Sequence, residues 1–202
     1  EQARAQDDDK AQVHYWLGRV AVEERKPQEA RAHFERAIEL DDDYPFPHYR
    51  LAEMAYDRQD YSTVLGHIGQ YLKLDDSPYS RAYYLLGASH FHQDNLPAAE
   101  ENLKKAIRRR SSYGDAFYLL AAIYTRQERK EEAIAELKLA LETDSLHDSL
   151  RPEAHYNLAV LCYETGQHDL AWKHARIAER LGYGNVNWLL AELAQVGEEP
   201  EE

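Results

Sequence analysis

Ten histidines, one cysteine and 37 carboxylates are the side chains of this 202-residue chain that could hold a metal or move a proton. Their spacing does not gather them. His90 and His92 are two apart, which on a helix puts them on different faces. His168 and His174, six apart, match no better. His14, His48 and His155 sit far from one another along the chain and read as packing or surface residues. A zinc ion needs nitrogen or sulfur ligands converging at about 2 Å, and neither a paired-cysteine motif nor H-E-x-x-H is present. The phosphate-cradling G-x-x-x-x-G-K-[ST], the dinucleotide fingerprint G-x-G-x-x-G and the nucleophile elbow G-x-S-x-G are also missing. These residues therefore predict neither an enzyme nor a metal or cofactor site. Cys162 is alone, so no internal disulfide forms, and its apolar neighbours predict a small core residue.

The side chains that recur in a pattern are aromatic, and their chemistry is binding. Tyr15, Tyr49, Tyr84, Tyr118 and Tyr156 stand at equivalent places. Four residues on are Arg19, Glu53, Ala88, Ala122 and Val160; seven on are Val22, Tyr56, Phe91, Thr125 and Tyr163. Spacings of four and seven share one helix face. Rigid aromatics with a polar tip give large contact area at small entropic cost. The predicted partner-binding residues are Tyr49, Tyr56, Tyr84, Ala88, Phe91, Tyr118, Ala122, Tyr156 and Tyr163. Ala88 and Ala122 are expected exposed, forming shallow pockets between Tyr84, Phe91 and Tyr118, the expected anchors. The competing reading is that each Tyr merely supports a neighbouring helix.

Net charge is −13, which opposes general binding to nucleic acid or to anionic membrane surfaces. Glu53, Asp57, Asp115, Glu153 and Glu164 flank the aromatic face and favour a neutral or basic protein segment with apolar anchors. The cations Lys104, Lys105 and Arg108 to Arg110 read as complements to a helix C-terminus, or else as an outer docking patch. No apolar run reaches the roughly 20 residues of a membrane-spanning helix. The chain opens on Glu1 without Met, which reads as a processed product or a fragment.

The elements that carry this face repeat. A Leu recurs at Leu17, Leu51, Leu86, Leu120 and Leu158, followed by Gly18, Ala52, Gly87, Ala121 and Ala159. A second stripe begins at Ala30, Val64, Ala99, Ala133 and Ala171 and ends at Ala37, Tyr71, Ala106, Ala140 and Ala178. Each copy is thus two amphipathic helices and a tight turn in about 34 residues. The boundaries are a polar tail over 1–10, copies over about 11–44, 45–79, 80–113, 114–151 and 152–184, a capping helix over 185–196 and an acidic tail over 197–202. Copy two departs most, with Val64 and Tyr71 at small slots. About four extra residues lie within Ser145–Arg151. Trp188, Leu189 and Leu193 are expected to cover the last core face.

This pattern resembles the tetratricopeptide repeat (TPR) family, W-x2-L-G-x2-Y followed by A-x3-F, over residues 11 to 183. The Trp slot here holds His14, His48, Tyr83, Phe117 and His155, and the late Pro is missing. The resemblance implies an all-α, right-handed solenoid of five helix-turn-helix repeats plus a C-terminal capping helix, with first helices lining a concave groove. It implies a non-catalytic adaptor or scaffold for a protein or peptide partner, of the kind found in bacterial assembly and envelope complexes in cytoplasm or periplasm. Two alternatives stand beside it: a self-assembling module, and the regulatory part of a larger enzyme. The carboxylate clamp of some TPR proteins is disfavoured, because this face carries few cations.

Overall fold

The computed structural model describes residues 2–197 and 200, with side chains from residue 10 onward; most of the expected acidic tail lies outside them. Among the described residues all regular structure is helical: α1 (Gln2–Glu23), α2 (Pro27–Leu40), α3 (Pro45–Asp57), α4 (Tyr61–Leu74), α5 (Ser80–His92), α6 (Leu96–Arg109), α7 (Gly114–Arg126), α8 (Lys130–Glu142), α9 (Arg151–Glu164), α10 (His168–Arg180) and α11 (Asn187–Val196). A single 3₁₀ turn, Asp148–Leu150, precedes α9. The first helix reaches back into the expected polar tail over 1–10. Ala3, Arg4, Ala5 and Gln6 are good helix formers, which favours extending the helix into that tail.

Every copy turns in the same way. The backbone enters the left-handed region at Arg25 (φ 57°), Gln59 (60°), Asp94 (59°), Glu128 (60°) and Gly166 (75°). The next amide then donates back across the helix end: Lys26 to Ala21 (2.8 Å), Asp60 to Ala55 (3.0 Å), Asn95 to His90 (2.9 Å), Arg129 to Tyr124 (2.9 Å) and Gln167 to Cys162 (2.8 Å). This six-to-one bond satisfies a carbonyl that the helix end would otherwise leave open. The second helix starts at once. Pro27 opens α2, where its missing N–H costs nothing. Asp60 caps α4, accepting from the Thr63 amide at 3.2 Å. Asp76 and Pro78 read as a cap and first-turn proline, but both lie outside α5. Tyr79 precedes that helix instead, and its amide donates to Tyr71 Oη at 3.1 Å. The bulky residue at copy two's small slot thus supplies the acceptor.

The chain forms two compact units, 1–102 and 103–202, and the division falls inside α6. In the first unit, Tyr15, Ala21, Ala30, Phe34, Ala37 and Leu51 form one core cluster, and Tyr49, Ala52, Ala55, Val64, Ile68, Tyr71, Ala82 and Leu85 another. Gly18 shows why the residue after the repeat Leu is small. A Cβ there would lie 2.6 Å from the Phe34 ring.

In the second unit, Leu120, Ile123, Leu137 and Leu158 are fully buried among Ala116, Ala133, Ala140 and Ala171. Small residues let helices approach and large ones fill the gap. The extra residues before α9 fold down rather than loop out. Leu146 is buried, the His147 amide donates to Asp115 Oδ1 at 2.8 Å, and Arg151 donates to the Thr143 carbonyl at 2.8 Å. Gly114, the first residue of α7, makes room: a Cβ there would be 2.4 Å from the Leu146 backbone nitrogen. After α10, Gly182 (φ 83°) ends the helix and Tyr183 donates to the Ala178 carbonyl at 2.9 Å. Leu189 and Leu193 of α11 are then fully buried. Trp188 does not join them as expected. It is 48% exposed, because its indole N–H is drawn to Tyr156 Oη at 2.8 Å.

Candidate functional site

The predicted face is built on the first helix of each copy, and the two units use it differently. In unit 1, Tyr49 is buried, against expectation. Its ring lies 5.2 Å from Tyr71 and 5.3 Å from Tyr79, and its hydroxyl donates to Glu53 at 3.0 Å. Tyr71 stands where other copies put Ala, so this tyrosine has an aromatic wall to pack on. Burial, then the Glu53 carboxylate, pushes the Tyr49 hydroxyl pKa well up, so it stays protonated and donating. Glu53 also takes Arg50 at 2.7 Å and Arg81 at 3.0 Å.

Ala88 is fully buried, which corrects the expectation that it is exposed. It lies one turn from the fully buried Leu85, and its methyl continues that stripe. Tyr56 and Tyr84 remain half-buried, 6.5 Å apart, and Phe91 is half-buried with its ring steeply inclined to that of His92.

Unit 2 contains a defined pocket of about 260 Å³ between α7 and α9. Tyr118, Ala122 and Thr125 form one wall and Tyr156, Asn157, Val160 and Glu164 the other, with Ala121, Leu137 and Leu161 below. Three predicted residues, Tyr118, Ala122 and Tyr156, line it, all half-buried. Tyr84 and Phe91, the other expected anchors, belong to unit 1. Burial, reinforced by the Glu153 carboxylate, raises the Tyr118 pKa, so its hydroxyl is neutral. Tyr156 is fixed from two sides, by the Trp188 indole and by stacking on Tyr183 at 4.6 Å. Tyr163 lies beyond, half-buried, with its hydroxyl 3.5 Å from Glu192 of α11.

The acidic rim is weaker than composition implies. Glu164 pairs with Lys130 at 3.0 Å, Glu53 with two arginines, and Asp115 accepts a backbone amide. What remains is an apolar recess with two phenols and one carboxamide, suited to an aliphatic or aromatic side chain and its backbone. Asn157 and Glu164 were absent from the predicted set because both sit one residue from a predicted tyrosine, on the flank of the stripe. Trp188 is 32 residues beyond Tyr156, close to one repeat step, and that offset was the legible signal.

The histidines are also better organised than their sequence spacing suggested. His14 Nδ1 lies 3.0 Å from His33 Nδ1, His48 Nδ1 3.0 Å from His67 Nδ1, and His155 Nδ1 2.8 Å from His174 Nδ1. Each pair is 19 residues apart and joins the two helices of one copy. The spacing of 19 was the missed signal. Among the described residues no three His, Cys, Asp or Glu side chains gather to hold a metal ion.

Models of the tetratricopeptide repeat match residues 11–44, 49–111 and 84–148. No curated protein matches the chain by sequence. Among solved structures, YrrB, a TPR protein with an unusual peptide-binding site, is similar with a TM-score of 0.75 and 16% identity, over 95% of this chain and 96% of that one. MamA from Desulfovibrio magneticus RS-1 (residues 41 to the end) gives 0.73 and 20%, over 88% and 97%. Pseudomonas aeruginosa PilF gives 0.73 and 18%, over 95% and 86%. At these identities the likeness speaks for the fold. With five copies in register and repeat models matching most of its length, the chain belongs to the tetratricopeptide repeat family and shares that family's general character as a protein-interaction fold.

Proposed function

We propose that this protein is a non-catalytic adaptor that holds a segment of a partner protein against α7 and α9. The observation that carries this is the recess between Tyr118, Ala122, Tyr156 and Val160. Its walls are held by contacts within the unit, so it is formed before any ligand arrives, which lowers the entropic cost of binding. The occupant is a segment with one apolar or aromatic anchor. Its charge preference is neutral to mildly basic, since Glu153 and the Lys130-paired Glu164 leave only a small negative field. The peptide-binding site of YrrB gives the reading a parallel within the fold.

The test is Ala122→Glu. Ala122 is half-buried on the pocket wall, and Glu is a good helix former, so the fold survives. Partners captured by the parent chain and identified by mass spectrometry are titrated against both proteins. A loss of about tenfold or more follows from an unpaired carboxylate in the recess. Equal affinity with an unchanged melt refutes the pocket. Ala88→Glu is unsuitable, since Ala88 is in the core.

One further observation favours the self-associating alternative. On α1, Val13, Trp16, Leu17 and Val20 are 57, 55, 43 and 53% exposed, at spacings that make one stripe. Apolar stripes of this kind mark contact surfaces. If the stripe pairs with another copy, Trp16→Ser lowers the mass seen by light scattering at high concentration; a concentration-independent monomer removes this reading.

A further inference from the structure

We propose that the three histidine pairs are proton-sensitive latches, each bonding the two helices of one copy at neutral pH and releasing them on acidification. The geometry carries this. In copies one, two and five, a histidine on the first helix meets a histidine 19 residues later on the second, always through Nδ1, at 2.8–3.0 Å. A contact this short needs one N–H and one lone pair, so one ring donates from Nδ1 and the other accepts. The ring planes are inclined at 38°, 45° and 22°, with centroids 5.1–5.3 Å apart. A second proton removes the acceptor and puts two cations in contact. The bond therefore exists only while at least one ring is neutral.

The surroundings oppose that second proton. Arg36 of α2 faces His14. Arg31 and Glu35, also of α2, face His67 with opposite effects. Arg151 of α9 faces His155, and Lys173 of α10 with Lys138 of α8 face His174. Burial first, and then the partner ring, holds His48 and His174 down to about 4. These cations also argue against a metal ion between the rings. The remaining two copies put Tyr83 with Asn102 and Phe117 with Glu136 at the same spacing, and neither combination has an imidazole.

The sign follows from linkage. An imidazole in the unfolded chain takes up its proton near 6.5, whereas in the fold His48 and His174 resist it down to about 4, and burial lowers His14, His67 and His155 as well. The unfolded state then binds more protons between these values. The His48 and His174 latches stabilise fully above about 6.5, and their contribution is lost as pH falls through that window toward 4. Acid thereby loosens α9 from α10. His155 adjoins Tyr156, so release of a bound segment would follow, a corollary that rests on the pocket reading. The latch does not depend on it.

The experiment is a set of thermal melts of the full chain from about pH 7.5 to 4.5, a range that brackets the titration of free imidazole. The parent is melted beside a triple mutant carrying His33→Asn, His67→Asn and His174→Asn. Asn offers both a donor and an acceptor to the remaining ring, and the chain already carries it at this slot as Asn102. Between about pH 7 and 5 the melting temperature of the parent should fall by about 5 °C more than that of the triple mutant. Nitrogen-15 spectra of the parent at about pH 7 should show, within each pair, one protonated and one bare Nδ1, with His48 and His174 taking up protons well below the free-imidazole value of about 6.5. Parallel melts, ordinary titration near 6.5 for those two residues with the fold intact, or a zinc-dependent rise in melting temperature would each overturn the latch.

Discussion

Tyr49 shows where a residue's neighbours overrule its slot. Five tyrosines share one position, yet Tyr15 and Tyr49 are core while Tyr118 and Tyr156 edge a pocket. The difference lies in the rings each one meets: Tyr71 gives Tyr49 an aromatic wall at 5.2 Å, and Phe34, Tyr44 and Phe46 surround the equally buried Tyr15. Sequence marked Tyr71 as atypical, but the burial it causes requires knowing which side chains meet across the hairpin. Ala88 was misread for a related reason. An alanine is as exposed as the larger residues around it allow, and periodicity does not report their direction. Gly114 is a sharper case. Its Cβ position is 2.4 Å from the Leu146 nitrogen, and backbone does not yield as a flexible side chain does. Gly114→Ala should therefore cost about 1–3 kcal/mol, despite alanine's better helix propensity. Chemical denaturation measures this, and an unchanged midpoint would mean that the segment before α9 is not packed on α7.

At the scale of the element, the Leu-to-Leu steps in the sequence made five helix pairs legible, because a packed hairpin demands small residues at fixed places. Its turns were legible as polar segments but not as left-handed ones. In four copies the left-handed residue is Arg, Gln, Asp or Glu, none of which announces positive φ as glycine does. The six-to-one hydrogen bond of the turn evidently outweighs the strain of order 1 kcal/mol that such residues carry. This yields a stabilising prediction. Glu128→Gly, at φ 60°, should raise stability by about 0.5–1 kcal/mol, with the unfolded-state entropy of glycine offsetting part of the relief. A fall in stability would show that the Glu128 side chain contributes more than its backbone costs.

For the whole molecule, composition and periodicity identified the architecture, while the pocket needed coordinates. Its recess depends on the separation of α7 from α9, which the folded segment before α9 helps to set. The end of the stack was legible in outline: α11 buries Leu189 and Leu193, though Trp188 turns to Tyr156 instead. Removing everything after Gly184 should lower the melting temperature by about 5–10 °C and expose apolar surface to a fluorescent dye, since two fully buried leucines lose their place. Unchanged melting would show that α11 is not a cap. Finally, the division of the chain into two units inside α6 governs how it can be taken apart. A cut between Asn102 and Leu103 leaves half of a 14-residue helix on each fragment, and stubs of two turns do not persist alone in water. A gene split at that point would therefore give each product a stub that does not hold its helix alone.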